Sequence, residues 1–239
     1  WVHIVTPDCI EYVLKKNFDN YEKGPIFFAF FEELLGHGIF NVDGDIWKEQ
    51  RKVSAHLFSH RMLREHMETV FVQHGRRVID IINEHKESKT PLEIQDLFFR
   101  YTLDSIGDIA FGYSMEALSM KPVPFATAFD YAQDQVVRRT TSPLWKVYRA
   151  LGHPNERRMK REIATINETV NAIIGKRRKL LAENGEIARD LLSLFIDHAN
   201  KNKTELSDVY LRDLVLNFMI AGRDTTAVAL TWTFHELVG

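Results

Sequence analysis

Near its C-terminal end the chain reads Phe218-Met219-Ile220-Ala221-Gly222-Arg223-Asp224-Thr225-Thr226. A glycine, an acid and two hydroxyl residues interrupt an otherwise apolar helical run. Glycine in a helix interior costs about 1 kcal/mol relative to alanine. Threonine can bond back to the carbonyl one turn earlier and bend the helix. Residues that break local rules in this way are often functional. Ala221 and Thr225 are four apart and share a face, and Gly222 nearly shares it with Thr225. Small residues at 221 and 222 let a flat, bulky group lie against the backbone. Thr225 then presents a hydroxyl to that group with the Asp224 carboxylate beside it, which suits proton delivery. A helix–helix crossing accounts for the same residues, with small side chains permitting close approach and threonines bonded to carbonyls. Both readings stand on the residues alone.

Other chemistry finds little support. There are ten histidines and one cysteine, but no HExxH and no CxxC. His56, His60 and His66 are close in sequence without forming a consistent ligand face. GxSxG, GxGxxG and phosphate loops are absent. Cys9 falls in an opening helix, where a small buried hydrophobe is the default. A single cysteine excludes an internal disulfide and suits a reducing compartment. A net charge of -2 gives no field that argues for nucleic acid. With 239 residues, 45% of them apolar, the chain can bury a substantial core. No apolar run approaches the ~20 residues of a membrane span.

The elements that must position the motif read as mainly α, about eight helices with at most one or two short strands. Residues 1–5 read as an edge strand. Thr6-Pro7-Asp8 starts a helix to about 17, with proline at the first helical position. Residues 18–44 read as a long irregular segment carrying the aromatic run Ile26 to Phe31. Loops this long are more often functional than filler, although a satellite hydrophobic cluster explains the aromatics equally well. Helices follow from about 45, 60–87, 93–111, 125–139, 155–183 and 188–200. The stretch 140–154 reads as a loop. The basic run Lys176-Arg177-Arg178-Lys179 reads as a solvated face, with a membrane or partner surface as the alternative. The last helix, 207–238, is apolar on most sides, as a central buried helix must be.

Two motifs in order resemble the cytochrome P450 family. Ala221-Gly222-Arg223-Asp224-Thr225-Thr226 is similar to the family's oxygen-activation motif, and Trp47-Lys48-Glu49-Gln50-Arg51 to its WxxxR helix. Phe18 to Gly24, Asp108 to Gly112 and Asp190 to Phe195 also look alike. The finer likeness is to the eukaryotic fatty-acid ω-hydroxylase branch.

The resemblance implies a haem b cofactor and its iron. It implies that Trp47 and Arg51 bind a haem propionate, for which a guanidinium is well suited. Ala221 and Gly222 would pack over the distal haem face, and Thr226 would support a helix distortion there. Asp224 and Thr225 would deliver protons for the activation of O2. Phe27, Phe28 and Phe40, in the 26–40 segment, and Phe218 would line the pocket of a lipophilic substrate. The resemblance further implies an NADPH-dependent reductase and the cytoplasmic face of the endoplasmic reticulum membrane. The family's axial cysteine loop, ExxR helix and N-terminal anchor have no counterpart here, and Cys9 aligns with no ligand position. The expectation is a partial P450 domain over 1–239, inactive alone. A catalytically dead helical interaction segment is the alternative.

Overall fold

The motif lies on one of the two longest helices, and other helices pack against it. The computed structural model describes residues 2–55, 67–184, 190–201 and 206–238. Among these residues there are ten α-helices and no strand. They are α1 (Pro7–Glu11), α2 (Gly24–Leu35), α3 (Gly44–Ala55), α4 (Glu68–Ser88), α5 (Ile94–Phe111), α6 (Pro124–Thr141), α7 (Trp145–Ala150), α8 (Pro154–Asn184), α9 (Leu191–Lys201) and α10 (Asp208–Val238). The 31 residues of α10 extend for about 46 Å at 1.5 Å per residue. α5 lies along α10 and α4 packs on α5. α6 packs on α8, and both α2 and α8 reach α10.

Local chemistry explains where these helices start and stop. The Glu93 carboxylate accepts the N–H groups of Gln95 and Asp96, which opens α5. Gly112 closes it with φ of 56°, a left-handed conformation that glycine adopts without a Cβ penalty. Ser207 Oγ accepts the Tyr210 N–H at 3.2 Å and opens α10, as its place in the sequence suggests. The core between these elements is built from Leu103, Phe111, Phe129, Ile166, Leu211 and Val215, all buried. Each such side chain contributes roughly 1.5–3 kcal/mol when fully buried.

Four features differ from the sequence reading. Residues 2–5 are not a strand, and the described residues offer no partner strand. The aromatic run is helical rather than irregular, because it belongs to α2. Gly24-Pro25, which looks like loop punctuation, is a helix start with proline in the first turn. The cap comes from a distance: Asp43 accepts the N–H of Lys23 at 3.2 Å and of Gly24 at 3.1 Å. The segment 140–154 contains α7, whose Trp145 is buried beside the Arg139 guanidinium. These two additional helices account for ten where eight are expected. Finally, the 176–179 run is a solvated face except at Arg177. Arg177 is buried, donates to the Phe111 carbonyl at 2.8 Å and pairs with Asp190 at 2.7 Å. Arg178 donates to the Leu206 carbonyl and pairs with Asp208. His56, His60 and His66 lie outside the described residues.

Candidate active site

α10 runs α-helical through the motif without a break. Thr225 Oγ1 donates to the Ala221 carbonyl at 2.8 Å, so the hydroxyl is held one turn back along its own helix. Thr225 and Thr226 are exposed, and Ala221 is half-buried. Asp224 turns to a different neighbourhood. It sits 3.2 Å from Arg223 Nη1, which also pairs with Asp130 of α6 at 2.6 Å. Burial raises the Asp224 pKa; Arg223 and a hydrogen bond with Gln133 oppose the rise without cancelling it. A carboxyl in that condition holds its proton more readily than one in water.

Arg223 is a functional feature that the sequence reading misses. It is 3% exposed, and its guanidinium lies 4.7 Å from the Phe99 ring centroid. A buried charge must be paired or bonded, so an arginine inside an apolar run signals a partner. Nothing in the sequence identifies that partner as Asp130, which is 93 residues away.

Gly222 faces α5. A Cβ on Gly222 would stand 2.5 Å from Ile106 Cδ1 and 2.6 Å from its Cγ1. The close approach expected from a small residue is therefore made to a neighbouring helix. Gly222→Ala is expected to lower stability by ~1–3 kcal/mol through overpacking. Chemical denaturation checks this, and Ile106→Val in the same chain should return part of the loss.

The remaining candidate residues fall on three elements. Trp47 and Arg51 are on α3, which packs on α9. The Trp47 ring is 5.4 Å from that of Phe18, and the Arg51 side chain is exposed. Phe27 and Phe28 are on α2, which meets α10 directly. Phe27 stacks on Phe31 at 4.7 Å, and Phe28 is 5.0 Å from the His37 ring. Phe218 is buried in α10 one turn before Ala221, and Phe40 is 46% exposed in the loop after α2. Residues 35–40, after the aromatic segment, meet α10 at Asp213 and Asn217. Trp47 and Arg51 lie on α3.

α10 changes character along its length. Leu211 and Asp213 to Met219 are buried, whereas Val228, Trp232, Phe234, Leu237 and Val238 are exposed. An open apolar cleft of about 680 Å³ lies beside this second half, lined by Ile82, Leu92, Ile94, Trp232, Phe234 and Val238 among others. Among the described residues no helix is long and apolar enough to cross a membrane. No group of three or more His, Cys, Asp or Glu side chains among them could hold a metal ion.

A flat macrocycle with carboxylate arms can be tested against these residues. The half-buried Ala221 and the open Thr225 leave room for a flat face, and the exposed Arg51 guanidinium suits a carboxylate. Cys9 is exposed on α1, the opening helix, well before the α3 and α10 motifs in the chain. Ala221, Thr225 and the Arg51 guanidinium suit such a group.

The family model for cytochrome P450 matches residues 1–239, and the chain belongs to that family. It is 35% identical over 252 residues to Cytochrome P450 704B1 of Arabidopsis thaliana, covering 100% of this chain and 48% of that protein. It is 36% identical over 246 residues to Cytochrome P450 94A2 of Vicia sativa, covering 99% and 47%. It is 35% identical over 245 residues to Cytochrome P450 monooxygenase cyp1 of Mycosarcoma maydis, covering 99% and 38%. The chain spans about half the length of the first two relatives and less of the third.

Proposed function

We propose that this chain is the oxygen-handling part of a monooxygenase that hydroxylates a lipophilic substrate, with fatty acids as the class. The observation that carries the proposal is the placement on α10 of an open Thr225 hydroxyl, a small Ala221 and a carboxyl whose pKa is raised. Haem b, when bound, supplies the iron at which O2 is reduced. Ala221 forms part of the wall it rests on, and Gly222 keeps α10 close enough to α5 to hold that wall in place. Arg51 and Trp47 bind a propionate, and Thr226 lies beside the same face.

Thr225 passes its hydroxyl proton to the reacting oxygen after leaving the Ala221 carbonyl, and Asp224 resupplies it. Asp224 suits this role because burial raises its pKa, so that it holds a proton nearer neutral pH than an exposed carboxyl. Arg223 opposes that rise and links Asp224 to Asp130 of α6. Phe27, Phe28, Phe40 and Phe218 surround the apolar substrate and keep water away from it. A thiolate to hold the iron and a cover for the exposed half of α10 would come from sequence beyond these 239 residues. The relatives, about twice as long, leave room for both. Electrons arrive from an NADPH-dependent reductase, and the full-length protein works at the cytoplasmic face of the endoplasmic reticulum membrane.

The test is turnover of dodecanoate by the full-length protein with NADPH and reductase. Hydroxydodecanoate is the expected product. A normal ferrous–CO spectrum without product would remove fatty acids as the class. Absence of both would remove the monooxygenase reading.

A further inference from the structure

Asp213 and Asn217 are 2% and 0% exposed on α10, and neither belongs to the oxygen-activation motif. Burying such groups is costly unless they are bonded. Asp213 accepts the His37 N–H at 2.8 Å and the Arg212 guanidinium at 2.7 Å. Asn217 accepts the Phe40 N–H at 2.9 Å. Its amide nitrogen donates to the carbonyls of Leu35 at 2.9 Å and Asp213 at 2.7 Å. Apart from the Arg212 and Asp213 contacts within α10, every one of these bonds reaches the backbone of 35–40. The loop is shaped for the contact: a Cβ on Gly36 would enter the Asp213 carboxylate, and one on Gly38 the Asn217 amide.

Residues 213, 217, 221 and 225 are spaced by four and form one row along the helix. That row carries two loop anchors, then the small residue, then the hydroxyl. Phe40 is thereby tied by its own N–H one turn from Ala221. We infer that Asp213 and Asn217 are positioning residues. They hold the Phe40 loop in register with Ala221 and Thr225, and so set which carbon of an extended apolar chain reaches the reacting centre. The inference rests on the monooxygenase reading above.

The experiment uses the full-length protein with dodecanoate, comparing wild type with Asn217→Leu, Asp213→Ala and Asp213→Asn. The first two should change the ratio of terminal to internal hydroxylation by about fivefold, roughly the weight of one hydrogen bond. Their ferrous–CO spectra should stay normal. Asp213→Asn keeps an acceptor for the His37 N–H and should keep the wild-type ratio. Hydrogen exchange at the His37 and Phe40 amides should quicken in the first two variants, with or without haem. Lower thermal stability with an unchanged product ratio would reduce the two residues to structural anchors and overturn the inference. Should Asp213→Ala fail to fold, Gly38→Ala presses on Asn217 from the loop side and is read in the same way. Failure of wild type to form any hydroxydodecanoate would remove the underlying reading, and the inference with it.

Discussion

In the full-length enzyme, Thr225→Ala is expected to lower product formed per NADPH oxidised by at least about tenfold, while hydrogen peroxide release rises. A positioned proton donor typically contributes 10²–10⁴-fold, so a loss on this scale is what removal of one should give. The structure makes the substitution informative because Thr225 is exposed and, among the described residues, its side chain bonds only locally, to the Ala221 carbonyl. Alanine is also a better helix former than threonine, so folding should survive. A fall in activity could then not be assigned to a damaged helix. The measurement is the ratio of peroxide to hydroxylated product, read alongside the ferrous–CO spectrum. Unchanged coupling would remove Thr225 from proton delivery and leave its hydroxyl as a helix bond only.

Arg139→Met is expected to cost about 3–5 kcal/mol of folding stability, the usual penalty for removing one partner of a buried ion pair. Arg139 is 1% exposed and joins three helices. Its guanidinium pairs with Glu33 of α2 at 2.6 Å and with Glu156 of α8 at 2.5 Å, from a position on α6. Burial pushes the Glu156 carboxyl up, but hydrogen bonds from Arg139 and Gln135 outweigh it and hold the pKa below its ordinary 4.5. A carboxyl with a depressed pKa in the fold contributes stability that is present above its unfolded pKa. That contribution is lost as pH falls through the lower folded value. The gap between wild type and Arg139→Met should therefore be full near neutral pH. It should shrink as pH falls towards and through about 4.5, because burial raises the pKa of the stranded Glu156, which then takes up a proton and no longer needs a partner. Urea unfolding at several pH values checks both the size and the trend. A penalty that does not vary with pH would mean that packing against Trp145, 5.0 Å from the guanidinium, carries the effect rather than charge.

The long helices were legible because apolar periodicity and caps lie close together in sequence. Glu93, Gly112 and Ser207 each mark a boundary within a few residues of the helix they close or open. α2 was hidden because its N-terminal cap, Asp43, is supplied from 19 residues away. An unbroken aromatic run also shows no polar face to reveal a helical period. Arg177 reads as one more surface cation in a basic run, and only the fold shows Asp190 and the Phe111 carbonyl waiting for it.

The motif itself was visible as a broken rule in an apolar helix. Its setting was not. That Gly222 meets Ile106, that Arg223 pairs with Asp130, and that Asp213 and Asn217 hold the Phe40 loop are all contacts between distant segments. No spacing within α10 encodes the partner. The same limit explains α10's second half. Its apolar residues read as buried, yet Trp232 is 61% exposed, because burial depends on what packs against a helix as well as on its own composition.

The most direct test of the account is a ferrous–CO difference spectrum of the 239-residue chain reconstituted with haem. The proposed function gives this chain the oxygen-handling residues, and its only cysteine is the exposed Cys9. The predicted result is that no thiolate-type Soret band forms. A thiolate-type band from this chain alone would contradict the account, since it would mean that these residues contain the axial ligand assigned to sequence beyond them.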